Sequence, residues 1–529
     1  MLNVIRLLGV ALTLQASVSL AEDWKITKSA WTPTDEQNYS EFVHAIGASG
    51  CNNITSCLKN PANPYRKSDP ATLKFFADCA KLPYILRGYF AFKNGLPFSY
   101  ANSVKPRGDS RDLRYSPNGN MISGRRDLLK SAATGATIDG LAALVRMSGE
   151  VDSAMFRVAP EYDADSANYP DFYSASLDRN GIRPGTAIYD PAGHVAVVYD
   201  IADDGRILYI DSHPDNSLTH GQYGEKFARS RPQQGAGFKN FRPLRLVGNT
   251  IVAAKNKELK DFSLAQYYGN QPSPDGAWSK GKFVFQGEQH DYYDFLRLSL
   301  AKGQLKYNPV TELESDMKAL CGDLQDRVTA VENALAAGVE NKSHPANLPQ
   351  NIYGTDGEWE SFSSPSRDAR LKTSFVELRT QIQRLVEMYH RGDRLVSYDG
   401  KDLGADLRAK YASVANSAEC QIKYLGSDKV THVLTYDQLV ARLFKLSFDP
   451  YDCAELRWGA DEKSAEFAAC REDRVKLDWY DDEQDLRNQI ERAYDVPMGF
   501  TLDQLQHHVP GSGVMTAPDV DLETYLRSI

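Results

Sequence analysis

The chain has 529 residues, of which 42% are hydrophobic and 25% charged, the mixture of an ordinary folded protein with roughly two to four domains. Its formal net charge is −9 and its basic residues are not pooled in one stretch, which argues against nucleic-acid binding.

Residues 1–21 have the organisation of a secretory signal peptide. Arg6 precedes the apolar stretch "LLGVALTLQASVSLA", which ends in Ser19-Leu20-Ala21, small residues at the positions that a signal peptidase reads. This stretch is too short to span a bilayer, and no other run of about 18 apolar residues follows, so we expect no membrane span in the mature chain. An uncleaved anchor is the alternative. We therefore expect secretion across the inner membrane, with a periplasmic or extracellular location.

Residues 22–64 are polar, with Pro and Asn, and predict an irregular N-terminal segment. The apolar run that follows contains Pro83, which a helix tolerates only in its first turn, so we expect a helix to begin at Asp78 or Cys79. The pair Asn94-Gly95 is a stop signal that ends this helix.

Short strands are predicted from residue 185 onward, and long helices from about residue 306. The strands "HVAVVYDI" and "RILYID" are joined by a turn that contains Asp-Gly, a strong hairpin signal. In the last part, Leu, Val and Met recur at three- and four-residue steps, which is typical of amphipathic helices. We therefore predict an α+β domain over 65–250, a mixed connecting region over 251–305 and a mainly helical domain over 306–529.

In an oxidising compartment the seven cysteines would tend to pair, and an odd count leaves at least one over. Cys51 and Cys57 lie close together in the sequence, Cys453 and Cys470 bracket one short segment, and Cys321 and Cys420 are placed to link two helices. This pairing, one of many that six cysteines allow, leaves Cys79 free. No Cys-x-x-Cys or Cys/His spacing occurs, so we expect neither a metal site nor a cofactor.

A cysteine nucleophile needs a thiolate, a base and a third group that orients the base. Cys79 is predicted at a helix N-terminus, whose partial positive charge favours the thiolate. The base candidate is His194, which opens a strand directly after Gly193. Cys79 as half of a disulfide or as a buried inert thiol, and His194 as a structural residue, are the alternatives.

The third residue depends on the length of the hairpin loop. A four-residue loop over 202–205 would pair Ala196 with Asp211 and make His194 and Asp211 diagonal neighbours on one face of the sheet. The same register places His213 opposite His194, so His213 is the rival for the orienting role. A three-residue loop would turn these side chains to opposite faces.

Two stretches resemble NlpC/P60 and CHAP-type cysteine peptidases. "DCAKLPYILRGYFAFKNGLPF" is similar to their nucleophile helix, which opens with Asp-Cys, and "GTAIYDPAGHVAVVYDIADDGRILYID" is similar to their Gly-His-Val strand, hairpin and third polar residue. The family usually has a small residue pair after the cysteine, where this chain has Ala80-Lys81, and Asp is common where this chain has Thr186. The resemblance implies a papain-like domain, in which a Cys-bearing helix packs on an antiparallel sheet.

The resemblance also implies an activity and its residues. Cys79 matches the nucleophile, His194 the base and Asp211 the orienting residue of an exported hydrolase that cleaves amide bonds, commonly in peptidoglycan peptides. The helical C-terminal region would then contact a protein partner or a large substrate. Two alternatives remain: a non-catalytic periplasmic scaffold that binds the wall or a partner, and a transglutaminase-like acyl transferase.

Overall fold

The computed structural model describes residues 23–129, 136–163, 167–354, 357–362, 364–491 and 496–529. The predicted signal peptide lies outside these residues. The described chain is a mixture of helices and small antiparallel sheets, followed by a helical C-terminal region. In the ranges given, no helix is both long and apolar enough to cross a membrane.

The N-terminal part of the described chain consists of helices and one antiparallel strand pair. Its elements are α1 (Pro33–Ala48), α2 (Ile54–Lys59), α3 (Lys81–Lys93), β1 (Ser99–Pro106), β2 (Asn120–Asp127) and α4 (Gly140–Glu150). The prediction that 22–64 is irregular was wrong, because α1 and α2 fall within it. The signal was present in Thr32-Pro33-Thr34-Asp35: Thr32 and Asp35 form a reciprocal capping box and Pro33 occupies the first helical position.

The middle part forms a six-stranded antiparallel sheet and two further hairpins. Its elements are β3 (Phe172–Ser174), β4 (Ala187–Tyr189), β5 (Val195–Ile201), β6 (Ile207–Ser212), β7 (Leu218–Gln222), β8 (Gly237–Phe241), β9 (Leu244–Val247), β10 (Thr250–Ala253), α5 (Ala265–Tyr268), β11 (Phe283–Phe285), β12 (Glu288–His290) and α6 (Tyr292–Leu300). The strand order in the large sheet is β3-β8-β4-β5-β6-β7.

The large sheet is buried on both faces. Val195, Val197 and Ile210 point into one hydrophobic core, which they share with α1 and α3. The alternate residues Ala196 and Tyr209 point into a second core that includes α6. The helix that follows Cys79 thus packs on one face of an antiparallel sheet, whereas His194, in step with Ala196, belongs to the other face.

The C-terminal part is mainly helical. Its elements are α7 (Pro309–Ala336), α8 (Gly357–Phe362), α9 (Ser364–His390), α10 (Leu403–Ala415), β13 (Ile422–Leu425), β14 (Thr431–Leu434), α11 (Tyr436–Arg442), α12 (Ala454–Arg457), α13 (Arg474–Asp482), α14 (Gln484–Asn488), α15 (Leu502–Gln506) and α16 (Leu522–Ser528). The apolar stripes of α7 and α9 are buried against each other and form the core of this region.

Ion pairs dock the helical region onto the sheet. Glu312, on α7, accepts hydrogen bonds from Arg297 at 2.6 and 2.9 Å and from Arg206 at 2.9 Å. The Glu312 side chain is only 4% exposed, and charge pairs shielded from water in this way are screened little by salt. The helical region therefore has a defined position over the end of the sheet.

The cysteines are paired as predicted. Disulfides join Cys51 to Cys57, Cys321 to Cys420 and Cys453 to Cys470. The Cys321–Cys420 bridge ties α7 to the segment before β13. Cys79 is a free thiol.

Candidate active site

Cys79 lies in the turn that leads into α3. The Asp78 carboxylate accepts hydrogen bonds from the backbone N–H groups of Ala80 and Lys81, both at 3.1 Å, and so caps the helix. The helix begins at Lys81, two or three residues later than predicted, and Pro83 lies in its first turn. Cys79 therefore precedes the helix and sits close to its positive end.

His194 and Asp211 are in direct contact. His194 Nε2 lies 2.6 Å from Asp211 Oδ2, and both side chains are buried. Burial alone would raise the pKa of Asp211, but electrostatic interaction with His213 and His194, together with the hydrogen bonds from His194 and Thr219, holds that pKa well below its usual range. Because an ionised carboxylate only accepts, Nε2 carries the proton and donates it, which leaves Nδ1 as the basic nitrogen.

The register of the hairpin produces this contact. Val197 pairs with Ile210, which extends to the predicted pairing of Ala196 with Asp211. The connection itself is not the four-residue loop that was predicted. Ile201 pairs with Ile207, so the loop covers 202–206, and an irregularity between Val198 and Asp200 restores the register.

His213 lies beside this pair without orienting the His194 ring. Its Nε2 is 3.7 Å from Asp211 Oδ1 and 3.1 Å from the hydroxyl oxygen of Thr219, and Thr219 donates a hydrogen bond to Asp211. The rings of His213 and His194 are stacked at a centroid distance of 6.0 Å. The contact with His194 is thus made by Asp211, while Thr219, which the sequence analysis did not single out, supports the carboxylate.

The Cys79 sulfur lies against the backbone on either side of His194. Sγ is 4.0 Å from the carbonyl oxygen of Gly193, and the N–H of Val195 donates a hydrogen bond to it. In the part of the chain that the structure describes, no hydrogen bond joins Sγ to the His194 ring. A rotation of the cysteine side chain would be needed to bring the two groups together.

The surroundings keep both groups neutral in this conformation. Burial, reinforced by the charge of Asp78, raises the pKa of the Cys79 thiol to about 12, although the Val195 N–H and the charge of Arg370 oppose the shift. Burial and the charge of Arg370 lower the pKa of His194 below its usual value, against the effect of Asp211. Cys79 is therefore a thiol and His194 a neutral imidazole near pH 7.

Cys79, His194 and His213 share the wall of one cavity of about 140 Å³. A water molecule needs roughly 10 to 15 Å³ of such space, so the cavity accommodates a ligand group of several atoms beside the cysteine. The C-terminal region contributes Tyr353 and Arg370 to the same wall, and the Tyr353 ring stacks on that of Tyr115 at 5.5 Å. The helical region thus covers part of the cysteine, which remains partly exposed.

The contribution of Tyr353 and Arg370 was missed by sequence reasoning. They lie more than 250 residues after Cys79 in the chain, and nothing in their local sequence links them to it. Among the described residues Arg370 forms no ion pair, whereas Arg114, on the same wall, is bound to Asp112 and Glu360. Arg370 is therefore the cation that this cavity offers to an anionic group.

A larger cavity, of about 510 Å³, lies elsewhere, between the sheet, α6 and helices α7 and α9. Its wall includes Lys226, Asp316 and Glu377, but none of Cys79, His194 or Asp211. Size alone would favour this cavity as a ligand site. The combination of a free thiol with a carboxylate-bound histidine favours the smaller one as a catalytic site.

Comparison with protein-family models, with curated proteins and with solved structures found no match to this chain. The functional interpretation therefore depends on the residues and their geometry.

Proposed function

We propose that this protein is an exported cysteine hydrolase of papain-like architecture that cleaves amide bonds. The observation that carries the proposal is the carboxylate-bound imidazole of His194 next to the only cysteine that is not in a disulfide within the described residues. The resemblance of two stretches to NlpC/P60 and CHAP-type peptidases supports peptidoglycan peptides as the substrate class.

Each residue has a defined task in this reaction. Nδ1 of His194 takes the proton of the Cys79 thiol as the sulfur attacks the amide carbonyl carbon, and Asp211 stabilises the imidazolium that forms. The imidazolium then protonates the amide nitrogen and the C–N bond breaks. The amine departs, and the acyl group remains on Cys79 as a thioester. His194 then deprotonates a water molecule, whose oxygen attacks the thioester carbon. The C–S bond breaks, the acid is released and the imidazolium returns the proton to the Cys79 sulfur.

The neutral resting state fits a nucleophile that is activated by its substrate. With a thiol pKa of about 12 and a His194 pKa below its usual value, no stable thiolate–imidazolium pair exists before binding. Proton transfer must then accompany attack, when the developing charge on the carbonyl oxygen is stabilised by the backbone N–H of Cys79.

Arg370 supports a preference for anionic substrates. Its guanidinium faces the cavity without a partner of opposite charge among the described residues, so a carboxylate close to the scissile amide would gain a charge-assisted hydrogen bond there. The free carboxylates of peptidoglycan stem peptides have this chemistry. Access for such a peptide requires displacement of the cover that Tyr353 and its neighbours provide.

A non-catalytic scaffold is the second candidate, and a specific observation favours it. The helical residues that line the Cys79 cavity and the high pKa of the Cys79 thiol would also suit a protein that no longer cleaves a substrate. Such a protein would keep the Cys79–His194–Asp211 arrangement but bind the wall or a partner through its helices. An acyl transferase would use the same residues and differ only in its second acceptor.

The deciding experiment compares the mature protein with Cys79→Ala on purified peptidoglycan, with products separated and identified by mass spectrometry. We expect the parent protein to release peptides that carry new free amines. The Cys79→Ala variant should release none of these peptides. Joined peptides would assign acyl transfer instead. Equal product from both proteins would refute the mechanism, and absence of product from both would favour the scaffold. An unchanged melting temperature of Cys79→Ala within a few degrees serves as the folding control.

A further inference from the structure

Three potential metal ligands converge inside the C-terminal region. They are His344 in the loop between α7 and α8, Asp449 in the loop before α12, and Glu483 at the junction of α13 and α14. One ligand atom from each lies within 4.8 Å of the other two. The side chains of His344 and Asp449 are each 1% exposed, and Glu483 is fully buried.

The Glu483 carboxylate has no hydrogen-bond donor among the described residues. Both of its oxygens are buried and unpartnered. The cation nearest to it is Arg487, whose Nη1 lies 3.9 Å from Oε2, beyond hydrogen-bonding distance. A buried carboxylate without donors is strongly disfavoured, and proteins retain such groups where they are paired or coordinate a metal ion.

A second buried carboxylate adds to the negative charge. Asp452 is 1% exposed, and its Oδ2 accepts a hydrogen bond from the hydroxyl of Ser447 at 2.5 Å, while its Oδ1 has no partner in the described chain. Asp449, Asp452 and Glu483 thus bring three carboxyl groups together. His344, Arg487 and Arg457 act on this cluster, but none of them donates a hydrogen bond to Glu483.

The orientation of His344 is that of a metal ligand. Its Nδ1 lies 2.6 Å from the carbonyl oxygen of Pro345, which is an acceptor, so Nδ1 carries a proton. Nε2 lies 2.8 Å from Asp449 Oδ2, so without a metal ion it carries a proton that it donates to this carboxylate, and a bound cation would displace that proton. A histidine that donates one ring N–H to a backbone carbonyl and presents the other nitrogen to carboxylates is the usual arrangement around a bound ion.

We propose that His344 Nε2 and the carboxylates of Asp449 and Glu483 bind one divalent cation of the zinc or manganese kind. A mixed nitrogen and oxygen donor set favours these ions over Ca²⁺ and Mg²⁺, which prefer oxygen alone. Two ligands that are each about 2.1 Å from one ion lie roughly 3 to 4 Å apart, so ligand atoms separated by up to 4.8 Å would have to approach each other by about 1 Å to close the cluster.

The ion has a structural role. The imidazole of His344 stacks on Trp479 at 4.1 Å and meets the edge of Trp359 at 5.7 Å, so aromatic rings shield the site from water. Trp359 belongs to α8, which also carries Glu360 to the wall of the Cys79 cavity. The cation would therefore fix the segment that covers the cysteine, and the proposal stands independently of the hydrolase activity.

The proposed site departs from the expectation, drawn from the sequence, that the chain holds no metal. That expectation considered short Cys and His spacings, whereas these ligands are separated by 105 residues between His344 and Asp449. Two other groupings are weaker. Cys453 and Cys470 are joined in a disulfide, and Glu455, beside Asp428 and His432, already accepts hydrogen bonds from Ser427.

The first test uses the untagged mature chain in a Cys79→Ala background, so that the cavity thiol cannot hold metal. The protein is stripped with a chelator, dialysed separately against Zn²⁺ and Mn²⁺, and analysed for metal content and melting temperature. We expect one equivalent of one of these ions and a melting temperature several degrees higher than that of the stripped protein. Less than about 0.2 equivalent with no thermal shift would overturn the proposal.

The second test assigns the ion to these ligands by titration calorimetry. Glu483→Gln keeps the shape of the side chain and is expected to weaken binding at least about tenfold. Asp428→Asn is the matched control and should bind like the parent. Unchanged affinity of Glu483→Gln would place the ion elsewhere and refute the assignment.

Discussion

His194 and Asp211 lie on or next to adjacent antiparallel strands and are joined by a 2.6 Å hydrogen bond between Nε2 and Oδ2. The contact orients the imidazole, assigns the proton to Nε2 and leaves Nδ1 as the base. It also compensates for the burial of a carboxylate, whose charge would otherwise be strongly disfavoured in this core.

The first prediction concerns this hydrogen bond. Asp211→Asn should lower the kcat of amide hydrolysis by about 10²- to 10⁴-fold, because an amide is not an ionised acceptor and would stabilise neither the Nε2–H tautomer nor the imidazolium. The measurement is the rate of peptide release from purified peptidoglycan. Thr219→Val, which removes only the hydroxyl that donates to Asp211, is the control and should cost far less. A kcat of Asp211→Asn close to that of the parent would exclude the orienting role.

The predicted register at this site is correct although the loop is one residue longer than predicted. An irregularity in β5 compensates for the extra loop residue. A five-residue loop would by itself turn His194 away from Asp211, since one residue of slip reverses every side chain of a strand. The irregularity at Tyr199 adds a residue to β5 and restores the faces. No local pattern in "VVYDIADDG" indicates this irregularity, because the irregularity depends on how the strand packs against its neighbours.

Contacts between distant helices could not be predicted from the sequence, for a different reason. The cover over Cys79 and the three proposed metal ligands depend on how helices pack together, and periodicity reports only which face of each helix is apolar. Helix α1, by contrast, was predictable from the capping box at Thr32 and was missed because the segment was judged on its polar composition. Local caps and stripes were thus accessible, as was the Cys321–Cys420 pair, whereas packing contacts between distant helices were not.

The second prediction concerns the reactivity of Cys79. With a thiol pKa of about 12, the alkylation rate of the folded protein should rise about tenfold per pH unit from pH 7 to beyond pH 9 without levelling off. An ordinary thiol, with a pKa of about 8.5, would begin to level off in this range. Iodoacetamide labelling followed by mass spectrometry measures the rate. The unfolded protein is the control, and a plateau below pH 9 in the folded protein would contradict the prediction.

The third prediction is a loss of stability in acid that depends on His213. Burial, together with the charge of Arg367, lowers the pKa of His213 to about 3, from 6.5 in the unfolded chain. Between these two pH values the unfolded state binds a proton that the folded state does not, so the free energy of unfolding falls as the pH falls. The arginines Arg367 and Arg370 and the carboxylates Asp211 and Asp215 also act on this ring.

Urea unfolding from pH 7 to pH 4 measures this loss, which should be on the order of a few kcal/mol in the parent. His213→Gln should reduce the slope, because no proton can be taken up at this position. His507→Gln, at a largely exposed histidine, is the matched control and should keep the parental slope. Equal slopes in all three proteins would show that His213 does not contribute.

The fourth prediction compares two disulfides of different span. Cys321 and Cys420 are 99 residues apart, and Cys51 and Cys57 only 6. Because a bridge restricts the unfolded chain more when it closes a longer loop, replacing both Cys321 and Cys420 by Ala should lower the free energy of unfolding by about 4 kcal/mol, against about 2 kcal/mol for Cys51 and Cys57. Urea denaturation measures both. A larger loss at the short loop would mean that packing outweighs chain entropy here.

The last prediction concerns the cover over the cysteine. The Tyr353 ring stacks on Tyr115, and both line the cavity that contains Cys79, so Tyr353→Ala should open the cavity to solvent. Better hydration of the thiol favours its ionised form, and the alkylation rate of Cys79 at pH 9 should therefore rise several-fold. Tyr398→Ala, which removes a tyrosine of the helical region that is not part of this wall, is the matched control and should react like the parent. A rate of Tyr353→Ala equal to that of Tyr398→Ala would mean that reagents reach Cys79 by another route, and that the C-terminal region does not limit access to it.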